Sequence, residues 1–417
     1  MTPTLAEATR VFLRIGLLSF GGPAAQIALM HRELVEERQW LTEQQYLSAL
    51  SFCMLLPGPE ALQLATYAGW KLHGTRGGLI AGLLFVLPGA FLVLALSMIY
   101  AAFGALPGIQ ALFLGVQATV VVIVIEALLR VSRRALKLRV HWIIAALAFI
   151  GIFFLHVPFP MIIVAAALYG FVTANGSNTQ PPPMQPAHTI RTLTIWLALW
   201  LVPLALLLQI EGGLLAQIGV FFSKLAVVTF GGAYAVLAYM TQTVVQDFGW
   251  LTTDQMMDGL GLAETTPGPL ILVTEFVGYL AAHKAGGMPV GIMAAIVTLW
   301  MTFVPCFLWI FTGAPYLEWI ASRPRLTGAL AAITASVVGV ILNLSVWFAA
   351  HVFFRQVGEN KFGFLHVLTP EPGSIVPLAI GLAGLAAWLI LRRHWGLPQV
   401  LALSAGLSLA ASQLQIG

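Results

Sequence analysis

Phe20-Gly21-Gly22 and Pro57-Gly58-Pro59 interrupt two long apolar segments near the start of the chain, and both motifs return later. The first recurs as Phe230-Gly231-Gly232 and the second as Pro267-Gly268-Pro269, each displaced by 210 residues. Many residues between the motifs repeat at the same offset. A period this long is too large for a solenoid, so it indicates a duplicated domain.

The composition is that of a membrane protein. Apolar residues make up 59% of the 417 residues, charged residues only 9%, and the mean hydropathy is +0.92, whereas soluble domains carry about 25% charged residues. The net charge of +4 comes from short loops between apolar spans, which argues against a nucleic-acid partner. No cleavable signal peptide is expected, and Cys53 and Cys306 are interpreted as buried free thiols rather than a pair.

About thirteen apolar stretches are long enough to cross a bilayer, for which a helix needs about 20 residues. The predicted fold is an all-α polytopic membrane protein with some discontinuous spans, because Pro-Gly-Pro breaks the stretches 45–70 and 255–282. The predicted spans are 10–30, 45–70, 78–103, 109–130, 140–156, 159–174, 194–210, 214–240, 255–282, 287–312, 326–351, 374–392 and 396–416.

The repeat divides the chain into two homologous parts. We predict a first transporter repeat at 1–174, a flexible linker at 175–193 that contains Pro181-Pro182-Pro183, an unpaired connecting span at 194–213, and a second repeat at 214–417. The loop 130–139 holds five basic residues, which places it and the N-terminus in the cytoplasm. An odd number of spans then separates the two copies, so the repeat is predicted to be inverted.

The duplicated breaks predict a binding site for an anion. Gly-Gly and Pro-Gly-Pro expose backbone N–H groups and create helix N-termini, whose partial positive charge favours anions. Arg14 and Lys224 occupy matching positions at the 210-residue offset. Because burying a cation in the membrane costs free energy, a matched pair indicates a functional role. The alternative is that both side chains snorkel to headgroups. The candidate substrate-binding set adds Gln63 to these two cations and the four motifs.

Three acidic residues near the Pro-Gly-Pro motifs are candidates for coupling transport to protons. Glu60 follows the first motif, Glu264 precedes the second, and Glu275 follows it. The alternative for Glu60 is a structural role in which it neutralises Arg14. No nucleotide-binding loop, metal-ligand spacing or hydrolase triad is evident, so we expect secondary transport with no cofactor and no enzymatic activity.

The sequence resembles the chromate ion transporter family. The resemblance rests on Phe20-Gly21-Gly22-Pro23, on Leu56-Pro57-Gly58-Pro59-Glu60 with Gln63, on Pro88-Gly89 and on the second copies of both motifs. It implies chromate efflux across a bacterial cytoplasmic membrane and chromate resistance. The second copy departs from the first, since Leu270 replaces Glu60, Val273 replaces Gln63 and Ala233 replaces Pro23. The two copies are therefore expected to contribute differently.

Three other functions stay open at the level of sequence. Sulfate has the shape and charge of chromate, so a sulfate or other oxyanion carrier is the first alternative. A membrane-embedded enzyme and a channel are the others. The expected partners are chromate or sulfate and membrane lipids, and a homo-oligomer is compatible with the sequence.

Overall fold

The computed structural model describes residues 3–174, 186–210, 213–230, 233–317, 319, 323–363 and 365–416. Helices form most of this part of the chain. Their bounds are α1 Leu5–Leu18, α2 Gly22–His31, α3 Glu43–Cys53, α4 Glu60–Phe103, α5 Pro107–Ala135, α6 Arg139–Phe153, α7 Phe159–Thr173, α8 Pro186–Ile210, α9 Leu214–Val228, α10 Ala233–Gln242, α11 Thr253–Thr265, α12 Val273–Gly313, α13 Pro324–Phe353, α14 Pro377–Leu391 and α15 Leu397–Ile416.

The helices have the length and surface of membrane-spanning segments. Within the described residues, six are long and apolar enough to cross a bilayer, and four shorter ones are also apolar. Large apolar side chains such as Phe91, Leu147 and Val172 are 60 to 75% exposed, which a water-soluble surface rarely tolerates over so wide an area. The prediction of a helical membrane protein is therefore confirmed, whereas the span count and the inverted orientation stay predictions.

Short stretches of the two copies share unusual local conformations. Thr42 and Gln45 form a capping box at the start of α3, and Thr252 and Gln255 make the same pair of hydrogen bonds at the start of α11. A π-helical turn follows α2 at Arg32–Glu37 and α10 at Thr243–Asp247. Since π turns are rare, their recurrence at the repeat offset shows that the sequence similarity extends to backbone geometry.

The long helices α4 and α12 each bend into two arms. The backbone dihedral angles are non-helical at His73 and Gly74 in α4 and at Gly286 and Gly287 in α12. In α4 the arms lie so close that a Cβ on Gly69 would overlap the Gly77 carbonyl. Small residues permit this close approach of backbones. Each bend falls at the boundary between two of the predicted spans.

The chain forms two compact units that do not follow the predicted repeat boundaries. The first contains 1–98, 175–233 and 266–327, and the second contains 99–174, 234–265 and 328–417. Both units thus combine segments from the two halves of the sequence. Residues 175–185 of the predicted linker lie outside the described residues, and α8 already begins at Pro186.

In the first unit, α12 packs against α8 and α9. The Trp300 indole N–H joins α12 to α8 by donating to the Leu199 carbonyl at 2.8 Å, and the Trp200 indole N–H joins α8 to α9 by donating to the Ser223 hydroxyl at 3.2 Å. Helix α1 lies against the second arm of α4, where Gly16 contacts the backbone at Leu84. Cys53 and Cys306 are buried and free, as expected.

In the second unit, α5 packs against α11, α14 and α15. Gly115 of α5 contacts the backbone at Ser404, and Gly339 of α13 contacts the backbone at Ala145. The all-α prediction missed one feature of this unit. An antiparallel hairpin of β1 Val357–Phe362 and β2 Leu365–Pro370 follows α13. Its strands are only six residues each, and β1 contains the polar run Glu359-Asn360-Lys361, so the strand signal is weak beside the long apolar helices.

Candidate functional site

In the first unit, the two copies of the repeat share the same geometry at their helix breaks. Ser19, Phe20 and Gly21 separate α1 from α2, and the Phe20 N–H donates to the Leu18 carbonyl at 2.9 Å. The Phe230 N–H makes the matching bond to Val228, also at 2.9 Å. Phe20 is 38% exposed, and Phe230 is half-buried. Gly231 and Gly232 lie outside the described residues.

Both Pro-Gly-Pro motifs are buried and immediately precede a helix. Pro57, Gly58 and Pro59 lead into α4, and Pro267, Gly268 and Pro269 lead through a single 3-10 turn into α12. The φ angles of Gly58 and Gly268 are +120° and +92°. Residues other than glycine rarely adopt such φ angles, so the central glycine is required in both copies.

Two hydrogen bonds join the motifs of one copy to those of the other. The Gly58 N–H donates to the Thr229 carbonyl at 2.8 Å, and the Gly268 N–H donates to the Ser19 carbonyl at 2.9 Å. Ser19 and Thr229 are 210 residues apart, as are Gly58 and Gly268. Each Pro-Gly-Pro break is therefore bonded to the Phe-Gly-Gly break of the opposite copy. The structure thus brings the predicted motifs together in reciprocal pairs.

The surrounding packing follows the same exchange. A Cβ on Gly58 would lie 2.9 Å from the Cys306 sulfur, and a Cβ on Gly89 would overlap the Pro267 carbonyl. Pro305-Cys306 and Pro88-Gly89 occupy the second arms of α12 and α4, respectively. The first Pro-Gly-Pro motif therefore contacts the later long helix, and the second motif contacts the earlier one.

Two buried glutamines complete the hydrogen bonding of the breaks. Gln26 of α2 donates from Nε2 to the Gly268 carbonyl at 2.6 Å and to the Ser19 carbonyl at 3.2 Å. Gln63 of α4 donates to the Pro57 carbonyl at 2.6 Å. Their positions in the second copy hold Val236 and Val273. The sequence analysis identified Gln63 but missed Gln26, whose signal was an amide within an apolar span.

Several carbonyl groups at the breaks accept hydrogen bonds. Those of Ser19, Pro57, Thr229 and Gly268 have donors from backbone or glutamine N–H groups. The first N–H groups of a helix have no partner within that helix. Such N–H groups face the breaks at the starts of α2, α4 and α12. The electrostatic character of the breaks therefore favours a negative ligand over a cation.

The two predicted cations differ in their surroundings. Arg14 is 55% exposed, and its Nε lies 3.5 Å from Oε1 of the fully buried Glu33. The carboxylate next to Arg14 is therefore Glu33 and not Glu60, the partner that the sequence suggested as an alternative. Arg38 also contacts Glu33. Lys224 is exposed on α9, and no carboxylate of the described residues lies within 4.0 Å of its amino group.

Glu33 belongs to a charged cluster at the end of α2. The cluster contains Arg14, Arg32, Glu33, Glu37 and Arg38, which pair through contacts of up to 3.7 Å. Three arginines and two glutamates leave one net positive charge. Glu33 falls between the predicted spans 10–30 and 45–70, yet tertiary packing buries it completely.

The three coupling candidates have different degrees of burial. Glu60 is the first residue of α4 and is half-buried. Glu264 accepts a hydrogen bond from the Tyr234 hydroxyl at 2.9 Å, and its Oε2 is buried without a hydrogen-bond partner among the described residues. Glu275 is 1% exposed, and its Oε2 likewise has no such partner.

A fourth buried carboxylate was missed by the sequence analysis. Asp258 of α11 is 6% exposed and accepts hydrogen bonds from the Tyr100 hydroxyl at 2.6 Å and from Gln117 Nε2 at 2.7 Å. Its signal was an acidic residue inside the predicted span 255–282. Both carboxylate oxygens have donors, so Asp258 stabilises the packing of α11 against α5, whereas Glu264 and Glu275 keep an unpaired oxygen.

Comparison with known proteins identifies relatives along nearly the whole chain. The profile of the Chromate transporter family matches residues 6–171 and 216–410, two segments whose starts are 210 residues apart (216 − 6). The probable chromate transport protein of Synechococcus elongatus is 33% identical over 396 residues, which cover 92% of this chain and 96% of the relative. The chromate transport protein of Pseudomonas aeruginosa is 34% identical over 395 residues, or 91% of each chain.

A third relative is the chromate transport protein of Cupriavidus metallidurans, which is 33% identical over 344 residues, or 82% of this chain and 81% of the relative. No solved structure matches the chain. The double profile match and the three relatives, each covered over four fifths of its length or more, agree with the paired motifs at the helix breaks. The chain belongs to the chromate transporter family.

Proposed function

We propose that this protein is a secondary active transporter that exports chromate across the bacterial cytoplasmic membrane and so confers chromate resistance. The observation that carries the proposal is the hydrogen bonding of the helix breaks, where buried carbonyl groups have donors and helix N-termini remain to receive an anion. The named relatives are chromate transport proteins. A family of transporters is consistent with the expectation that the chain is not an enzyme.

The reciprocal hydrogen bonds support an inverted repeat. Gly58 bonds to Thr229 and Gly268 bonds to Ser19. The Pro-Gly-Pro motif of each copy therefore contacts the Phe-Gly-Gly motif of the other copy in the same way. Such exchange is the property of two bodies related by a two-fold axis. An axis in the plane of the membrane would let the two repeats alternate between opposite openings around one central site.

Chromate would bind next to the breaks. It is a tetrahedral dianion whose oxygens accept hydrogen bonds, so it suits backbone N–H groups at helix N-termini. The net positive charge of the Arg14 cluster and the positive charge of Lys224 would compensate its charge. Arg14 keeps spare N–H donors beside its contact with Glu33, because a guanidinium has five. The Phe20 and Phe230 rings and the proline rings flank these N–H groups in sequence.

Sulfate is the alternative substrate, because a site made of N–H groups and cations distinguishes poorly between two tetrahedral dianions. A sulfate carrier would show the same architecture. A channel would differ, since its flux would not saturate with substrate. A membrane-embedded enzyme would form product from its substrate in the purified state.

Transport in inverted membrane vesicles tests the proposal directly. Vesicles that contain the protein should accumulate labelled chromate in a saturable way when a pH, sodium or sulfate gradient is imposed, because export from the cell becomes uptake in this orientation. Vesicles without the protein are the control. Uptake that is independent of every gradient would contradict secondary active transport. Uptake of labelled sulfate with no effect of added chromate would assign the site to sulfate.

Neutralising either proposed cation should reduce transport. We expect Arg14→Gln and Lys224→Gln to lower chromate uptake about tenfold or more, because a hydrogen bond to a charged group contributes about 1.5–3 kcal/mol. The protein should still fold, since Arg38 continues to pair with Glu33. Arg10→Gln is the matched control, because Arg10 is exposed one helical turn earlier in α1. Wild-type uptake by both variants would refute charge compensation.

Gln26 should hold the bonded breaks in position. Gln26→Met removes the donor to the Gly268 carbonyl, and an unsatisfied buried acceptor costs about 1–3 kcal/mol. We expect a lower thermal unfolding temperature in detergent and slower chromate uptake. The control is Gln110→Met, because Gln110 is exposed on α5. Gln26→Met protein with an unchanged unfolding temperature and unchanged uptake would show that this amide does not support the breaks.

The buried carboxylates are proposed to carry the coupling proton. If so, Glu264→Gln or Glu275→Gln should abolish chromate accumulation driven by a pH gradient yet preserve exchange of chromate for chromate, which needs no net proton movement. Glu60→Gln tests the third candidate in the same assay. Glu126→Gln is the control, since Glu126 pairs with Arg130 at the surface of α5. Gradient-driven uptake at the wild-type level in all three variants would exclude carboxylate coupling.

A further inference from the structure

Three side chains suited to metal binding meet in the second unit. They are His156 in the turn between α6 and α7, Glu359 on β1 and His366 on β2. One ligand atom from each lies within 4.8 Å of the other two. Sequence spacing predicted no metal site, because about 200 residues separate His156 from the other two.

The hairpin presents two of these side chains on the same face. In the register of the hairpin, His366 pairs with Lys361, two residues after Glu359. Positions two apart on a strand share a face, so Glu359 and His366 are diagonal neighbours. His366 Nδ1 accordingly lies 2.5 Å from Glu359 Oε1.

The α6–α7 turn supplies the third side chain and is bonded to the hairpin. The His366 N–H donates to the Phe154 carbonyl at 2.9 Å. His156 Nε2 lies 3.3 Å from Glu359 Oε1, and the two imidazole rings stack with centroids 3.9 Å apart. His156 has a φ of +50°, a strained conformation for a residue with a side chain. Such strain is often found where a side chain is held for binding.

The donor set matches a particular class of ion. Imidazole nitrogens with one carboxylate are typical ligands of zinc and its neighbours in the first transition row, whereas magnesium and calcium prefer oxygen ligands alone. With bonds of about 2.0–2.1 Å and tetrahedral angles, ligand atoms lie about 3.3–3.5 Å apart. The His156–Glu359 separation already has this value. The His366–Glu359 hydrogen bond would need to open by less than about 1 Å.

The three side chains line an open cavity, which leaves room for a fourth ligand. The cavity has a volume of 440 Å³ and is also lined by Gln242, Gln246 and Asp247. The three candidate ligands are 18 to 34% exposed, so an ion can reach them from solvent. Three protein ligands and an open position are the usual arrangement of an accessible zinc site.

We propose that His156, Glu359 and His366 bind one divalent ion of the late first transition row, of which zinc and cobalt are the test cases. The ion would cross-link the α6–α7 turn to the hairpin. The proposal is independent of the transported substrate.

Cobalt titration of the full-length protein tests the proposal. Protein purified in detergent without a histidine tag and stripped with a chelator should bind one equivalent of Co²⁺ with the visible absorption of a four-coordinate site. Zn²⁺ should displace the Co²⁺. His156→Ala, His366→Ala and Glu359→Gln should each weaken Co²⁺ binding at least about tenfold, because even the loss of a residue that only orients a ligand costs 10–100-fold.

His31→Ala is the matched control. His31 also contacts two carboxylates, Glu36 and Glu43, but no second imidazole of the described residues lies in its cluster, so its loss should leave Co²⁺ affinity unchanged. If the alanine variants do not fold, protection of the wild-type His156 and His366 from diethylpyrocarbonate by Zn²⁺ provides the second measurement. The proposal would be overturned if the wild-type protein showed no Co²⁺ absorption, or if the folded His156→Ala/His366→Ala double variant bound Co²⁺ as tightly as the wild type. It would also be overturned if Zn²⁺ did not protect His156 and His366 from diethylpyrocarbonate.

Discussion

A backbone that leaves its helix inside a membrane must find hydrogen-bond partners within the protein, because lipid offers none. Two bonds meet this requirement here, from Gly58 to the Thr229 carbonyl and from Gly268 to the Ser19 carbonyl. Neither repeat satisfies its own Pro-Gly-Pro break in this way; each depends on the other. The duplicated motifs are consequently joined in pairs, and the start of each long bent helix is held against a break in the opposite copy.

The same hydrogen bonds determine the sign of charge that the breaks favour. In an interrupted helix, exposed carbonyls would attract cations and exposed N–H groups would attract anions. Gln26 and Gln63 engage carbonyl oxygens, so the positive ends of the helices dominate. Both glutamines belong to the first copy, because valine occupies their positions in the second. Hence the pseudo-symmetric backbone carries an asymmetric set of polar side chains.

Much of the fold could be predicted because the relevant signals are local. Apolar length predicts helices, Pro-Gly-Pro predicts where they break, and the Thr42 and Thr252 capping boxes mark where α3 and α11 begin. The site was predictable only in part. From the sequence, Arg14 was predicted to contact the substrate, lipid headgroups or Glu60, yet its carboxylate neighbour is Glu33. The burial of Glu33 depends on how the end of α2 packs. Asp258 and Gln26 were missed because a polar residue in an apolar span shows no partner until the helices are packed.

The sequence by itself determined the class of the protein, the duplication and the positions of the helix breaks, since hydropathy, glycine and proline act on the backbone where they stand. Only the tertiary structure decided which break bonds to which, and which distant side chains meet. His156 and His366 are 210 residues apart in the chain, and they stack only because the hairpin bonds to the turn after α6. Contacts of this kind depend on how helices and loops pack in three dimensions, and chain spacing does not encode that packing.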